Sequence, residues 1–208
     1  MSSQIEKLPV LGLGASLSLS ALPDPVKLVQ VNGGPSFVEY AGLVDVEQVI
    51  DEIERICNAG APVLYHPSYI NNRTWLEATA RQIEKVGSAW FAHDCAYCFW
   101  EDGPDYSSQL GYFVPPFYNK KSLEYAITGV KEVQEIVPVT VAIEPPPVSF
   151  VIGSMPLFSF FGELARETDC TILLDMGHLV SHEMASGRPV RDALHTLPYE
   201  RVVEIHIA

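Results

Sequence analysis

The stretch TILLDMGHLVSHE, residues 171–183, ends an apolar run in Asp175 and sets His178 three residues later. An apolar run of this length fits a strand buried on both faces, where a carboxylate is costly unless something compensates it. The pattern recurs along the chain. SFVEY carries Glu39, PVLYH ends in His66, SAWFAH in His93, PVTVAIE in Glu144, CTILLD in Asp175 and RVVEIH in His206. The intervals are 27, 27, 51, 31 and 31 residues, a βα repeat interrupted by one long loop over roughly residues 94–119.

Amphipathic helices are expected between these runs. VDVEQVIDEIERICNAG offers Asp45 as a cap, Val46, Val49, Ile50, Ile53 and Ile56 at helical spacing, and Gly60 as the stop. NNRTWLEATARQIEKVG and NKKSLEYAITGVKEVQEI repeat that logic, a further helix starts near Ser154 with Pro156 in its first turn, and a short one is expected near 189–197. Strand and helix thus alternate, and with VLGLGASLS at the start about seven strands are counted. This predicts an α/β fold, a (β/α)8-type TIM barrel that is apparently incomplete, as one domain over residues 1–208; a doubly wound open sheet is the alternative.

Composition narrows the function. Of 208 residues, 26 are acidic and 13 are Lys or Arg, a formal charge of -13 that repels phosphate backbones and argues against nucleic acid as a partner. The apolar segment LPVLGLGASLSLSAL is too short and too rich in Gly and Ser to span a membrane, and no basic leader precedes it. The four cysteines show no framework spacing, so a reducing cytoplasm is expected, and Cys95 and Cys98 read as packing residues at the base of the long loop.

In a parallel barrel the carboxyl ends of all strands open on one mouth. His66, His93, Glu144, Asp175 and His206 would meet there, and a loop begun by Gly177 could return His178 to the same centre. Carboxylate and imidazole together suit divalent iron, zinc or manganese, and such a cation would compensate the buried acids. Glu39 and His182 are candidates for supporting positions, whereas His195 reads as structural. Each of these residues also has a plainer reading, as a packed histidine or a solvated rim carboxylate.

The stretch from VTVAIEPPPVSF to LPYERVVEIHIA, with GLGASL, PVLYHPSYI and SAWFAHDCAYCFW upstream, resembles the multinuclear non-heme iron-dependent oxidases that include the methanobactin biosynthesis oxidase. The resemblance implies a barrel of the xylose-isomerase-like kind with two or three iron ions, dioxygen as co-substrate, a ribosomal peptide precursor as substrate and a leader-binding partner protein. By position it assigns His66, His93, Glu144, Asp175 and His206 as ligands; His178 stands where the family has Asn, as Pro145 does after Glu144. Relatives continue through another helix and an eighth strand, so either a fragment or an open barrel is expected. An open edge would be covered by a partner or a second copy, as in a homodimer.

Two other readings follow from the residues. Asp175-x-x-His178 also suits a sugar isomerase or epimerase holding a single Mn, Zn or Mg ion. A degenerate barrel serving only as a binding partner is the third.

Overall fold

A computed structural model describes residues 4–17, 24–41, 46–67, 73–101 and 107–207. Three strands, β1 (Gly14–Leu17), β2 (Phe37–Ala41) and β3 (Val63–His66), pair in parallel in that order. The hairpin strands β5 (Tyr97–Glu101) and β6 (Ser107–Val114) follow β4 (Trp90–Asp94) in the chain. A second parallel sheet runs β4, β7 (Thr140–Glu144), β8 (Thr171–Asp175), β9 (Val202–His206). The strands β3 and β4 lie side by side, so the seven parallel strands follow chain order around a curved wall. No ladder joins β3 to β4 or β9 to β1 among the described residues. The result is an α/β barrel that stays open.

The helices α1 (Pro25–Gln30), α2 (Val46–Asn58), α3 (Arg73–Val86), α4 (Lys120–Ile136), α5 (Leu157–Thr168) and α6 (Met176–Ser186) cover the wall from outside. In α2 the buried Val46, Ile53 and Ile56 recur at helical spacing, and each contributes about 1.5–3 kcal/mol by leaving water. Asn119 caps α4 by accepting from the Ser122 amide, while Pro156 occupies the N-cap position of α5, with no side-chain cap, rather than entering its first turn. Asp45 and the Asn pair at 71–72, expected to cap α2 and α3, lie outside the described residues. The short helix expected near 189–197 is a 3-10 segment, Val190–Thr196. No helix among the described residues is long and apolar enough to cross a membrane.

Two apolar layers divide the side chains of the parallel strands. A small inner cluster holds Phe37, Leu64, Trp90, Ala92, Ala142 and Leu173, and a larger outer one packs Val38, Phe91, Val141, Ile172 and their neighbours against the helices. Successive strand residues alternate between the two layers. This alternation decides which strand-end groups face the mouth.

The span expected as one long loop holds the antiparallel β5–β6 hairpin. Its strands are polar or aromatic at irregular spacing, which hid them from an apolar-run reading. The residues after Asp175 also differ from expectation, since α6 starts at Met176 with no intervening loop.

A candidate metal centre at the open mouth

Inward alternation brings Glu39, His66, Asp94, Glu144, Asp175, Glu204 and His206 to the carboxyl ends of their strands, around a cavity of about 930 Å³. His178 joins them from the first turn of α6. Asp175 is the N-cap of that helix: its Oδ1 accepts from the His178 amide at 2.9 Å. One short carboxylate therefore ends a strand, starts a helix and fixes the imidazole that follows.

The distances are those of one connected cluster. His66 Nδ1 lies 3.1 Å from Glu39 Oε1, and its Nε2 lies 3.4 Å from Glu144 Oε2. His206 Nε2 lies 3.1 Å from Glu39 Oε2 and 3.5 Å from Glu204 Oε1. His178 Nδ1 is 2.9 Å from Glu144 Oε1 and 3.0 Å from the Pro145 carbonyl. Deeper in, the Trp90 indole donates to Glu204 Oε2 at 2.7 Å.

Electrostatics set these groups against one another. Burial works against ionising Glu39, but the close imidazoles of His206 and His66 outweigh it and hold the carboxyl down to about 2. Burial likewise disfavours the cationic form of His66, yet Glu39 and Glu144 raise it to about 9. Burial opposes protonation of His206 too, and Glu204 and Glu39 raise it to about 11. His178 also moves up, through Glu144 and Asp175 against burial. Asp94 is pushed up to about 7 by burial and the charge of Glu144, and its Oδ1 has no hydrogen-bond partner among the described residues.

Five carboxylates thus face three imidazoles with no Lys or Arg lining the cavity among the described residues. Three groups of potential ligand atoms each lie within 4.8 Å of one another: Glu39, His66 and His206; His66, Asp94 and Glu144; Glu144, Asp175 and His178. His66 belongs to two of these groups and Glu144 to two. Shared donors of this kind fit neighbouring divalent ions, whose charge would offset the acidic excess.

Of the residues expected from sequence, His66, Glu144, Asp175, His178 and His206 come together, and Glu39 stands among them rather than behind them. His93 does not join them. It points to the outer layer, its ring stacked on Phe91 at 5.9 Å, because β4 runs one residue further and Asp94 takes the inward place. His182 lies on α6, buried edge-on against Tyr118 at 5.3 Å and away from the mouth. His195 lies in the 3-10 segment beside a separate cavity. Cys95 is half-buried beside Asp94, and burial pushes its thiol up to about 12; the Cys98 side chain lies outside the described residues.

Asp94 and Glu204 were missed. Glu204 left a trace, since it stands two residues before His206 and so shares its strand face. Asp94 left only its adjacency to His93.

An open α/β barrel with acids and histidines gathered at its mouth defines a metalloenzyme-like class, and the sequence places it more closely. Residues 68–208 match the family described as RiPP precursor modification enzyme MbnB/TglH/ChrH, RiPP denoting a ribosomally made, modified peptide, and the chain belongs to that family of enzymes. It is 28% identical over 126 residues to a UPF0276 protein of Anaeromyxobacter sp. (strain Fw109-5), covering 60% of this chain and 43% of that one. A UPF0276 protein of Acaryochloris marina (strain MBIC 11017) is 31% identical over 93 residues, or 44% of this chain and 34% of that one. The chain spans less than half the length of either relative. Among solved structures, D-glucarate dehydratase from Agrobacterium tumefaciens complexed with magnesium superposes with a TM-score of 0.50 at 13% identity, over 96% of this chain and 47% of that one. That likeness extends to the fold alone.

Proposed function

We propose that the mouth binds two or three iron ions through Glu39, His66, Asp94, Glu144, Asp175, His178 and His206, and that the enzyme oxidises a ribosomal peptide precursor with dioxygen. The observation that carries this reading is the chain of three donor groups linked through His66 and Glu144. Family membership supports a peptide substrate and a metal dependence. Iron so held would supply the redox chemistry with dioxygen.

The protein's own residues have definable tasks. A hydrogen bond from His178 Nδ1 to the Pro145 carbonyl leaves Nε2 as the nitrogen with a free lone pair. Asp175 holds the same residue through its backbone amide. Glu39, lying against both His66 and His206, orients two imidazoles at once. Trp90 fixes Glu204, which fixes His206 in turn. Phe113 of β6 lines the cavity and excludes water from one side.

A second reading rests on the Glu144, Asp175 and His178 group alone, which suffices for one divalent ion acting as Lewis acid in a sugar isomerase or epimerase. Elemental analysis of anaerobically purified protein, with anomalous scattering around the iron edge, separates the two. Two or more irons per chain and oxygen uptake with a precursor peptide support the oxidase. A single manganese, zinc or magnesium with oxygen-independent sugar turnover supports the isomerase. No metal uptake, and an Asp175→Ala variant indistinguishable from the parent, would leave only a binding scaffold.

A further inference from the structure

A second cavity, of about 500 Å³, lies between the start of α5, the end of α6 and the 3-10 segment Val190–Thr196. It shares no lining residue with the mouth, and among the described residues the donor groups suited to a cation all belong to the mouth. Its size is that of a small-molecule site. Its walls are tied together in advance: Glu183 Oε1 of α6 accepts from the Val190 amide at 3.0 Å, and Ser159 Oγ of α5 donates to Thr196 Oγ1 at 3.4 Å.

Two independent features suit an anion there. The first is the N-terminus of α5, a 12-residue helix whose start, Pro156, Leu157 and Ser159, lines the cavity. Pro156 provides no side-chain cap, and the amides of Leu157, Phe158 and Ser159 have no partner among the described residues. Unpaired amides and the helix dipole together favour negative charge.

The second is His182. It lines the same cavity at 7% exposure, and neither ring nitrogen has a hydrogen-bond partner among the described residues. A buried imidazole without a partner is costly, and rotation about its Cβ–Cγ bond is soft enough to turn one nitrogen toward an occupant. Burial holds the group below its ordinary value against the charge of Glu183, so the ring is neutral with one N–H to donate. Arg188 adds a cation at the exposed rim, against a single carboxylate, Asp192. The remaining wall is largely apolar, with Met155, Leu157, Val190 and Ala193.

We propose that this cavity binds a small apolar monocarboxylate, its carboxylate held between the first amides of α5 and His182, with Arg188 at the rim and its hydrocarbon body against Met155, Leu157 and Val190. A multiply charged anion such as phosphate would leave those apolar walls without a partner and would meet Asp192. The site goes beyond the metal reading and does not depend on it.

The test titrates the full metal-free chain with phenylacetate and follows, by NMR, the amides of Leu157, Phe158 and Ser159 and the ring nitrogens of His182. Their shifts should saturate with a dissociation constant below about 1 mM. Phenylacetamide, which keeps the shape without the charge, should bind at least about tenfold more weakly. Acetate, which keeps the charge without the body, should also lose at least about tenfold. His182→Phe, which keeps an aromatic ring against Tyr118, should weaken phenylacetate about fivefold to tenfold, and Arg188→Gln about twofold to threefold.

Equal binding of phenylacetamide, acetate or inorganic phosphate, an unchanged affinity in His182→Phe, shifts confined to mouth residues such as His66, or no saturable shift would overturn the proposal. If His182→Phe loses its circular dichroism, Arg188→Gln and the comparison with phenylacetamide decide.

Discussion

Trp90 and Glu204, 114 residues apart in sequence, are joined by a 2.7 Å hydrogen bond at the buried base of the mouth. The bond ties the first strand of the larger sheet to its last. A carboxylate buried to this depth without a donor is costly, so Trp90→Phe should destabilise the protein by about 1–3 kcal/mol. Urea denaturation of metal-free protein checks this. Glu204→Gln, which can still accept from the indole, should cost less, and a larger loss in that variant would show that the bond is not what matters.

Glu39 holds two imidazoles, so Glu39→Gln should lower the titration midpoints of both His66 and His206. Nitrogen-detected NMR titration of the imidazoles in metal-free protein reads each separately. If both midpoints stay where they were, Glu39 is not the group that raises them.

The pH dependence of the metal-free protein has a definite sign. His66 and His206 are raised against burial, the first chiefly by Glu39 and the second by Glu204 and Glu39, so their contribution is complete below 6.5 and disappears as pH rises through about 9 and about 11. Asp94, raised from 3.8 to about 7 by burial and Glu144, adds a penalty that grows over that interval. Glu39 acts in the opposite range: it stabilises above 4.5 and stops doing so as pH falls toward about 2. Denaturation in the presence of a chelator should therefore give lower stability near pH 10 than near pH 6 by several kcal/mol at most. A flat or rising profile contradicts the assignment.

Asp94 and His93 are neighbours on opposite faces of β4. Asp94→Asn should reduce metal affinity about 10–100-fold, measured by competition with a chromogenic chelator. His93→Gln should leave it near the parental value. The reverse outcome would mean that β4 presents its other face to the mouth.

Gly153 has φ of +116°, and a Cβ there would meet the Tyr118 carbonyl oxygen at 2.3 Å. Gly153→Ala should cost about 1–3 kcal/mol through backbone strain and that clash, read as a lower thermal midpoint. An unchanged midpoint would show that the Tyr118–Gly153 bridge can shift without cost.

The barrel was legible in the sequence because apolar runs and amphipathic helices alternate at regular intervals, and His66, Glu144, Asp175 and His206 close their runs where inward alternation needs them. The face of β4 was not legible. Strands buried on both sides show no polar alternation, so nothing in SAWFAHD says whether His93 or Asp94 turns inward. Glu39 read as a supporting residue because SFVEYA continues past it; its contact with His66 arises from the pairing of β2 with β3, and its contact with His206 only when β2 and β9 face each other across the opening. The β5–β6 hairpin escaped because its residues are held by pairing with each other, which composition does not record.

Among the described residues no ladder joins β3 to β4 or β9 to β1, which divides the wall into two blocks, β1–β3 and β4 with β7–β9. Glu39 and His66 belong to the first block, Glu144 and His206 to the second, so the contacts Glu39–His206 and His66–Glu144 are stitches between the two blocks. Whatever loosens those four side chains leaves the shared outer core as the main tie between the blocks, and amide exchange in β1–β3 would then report from a distance on the chemistry of the mouth.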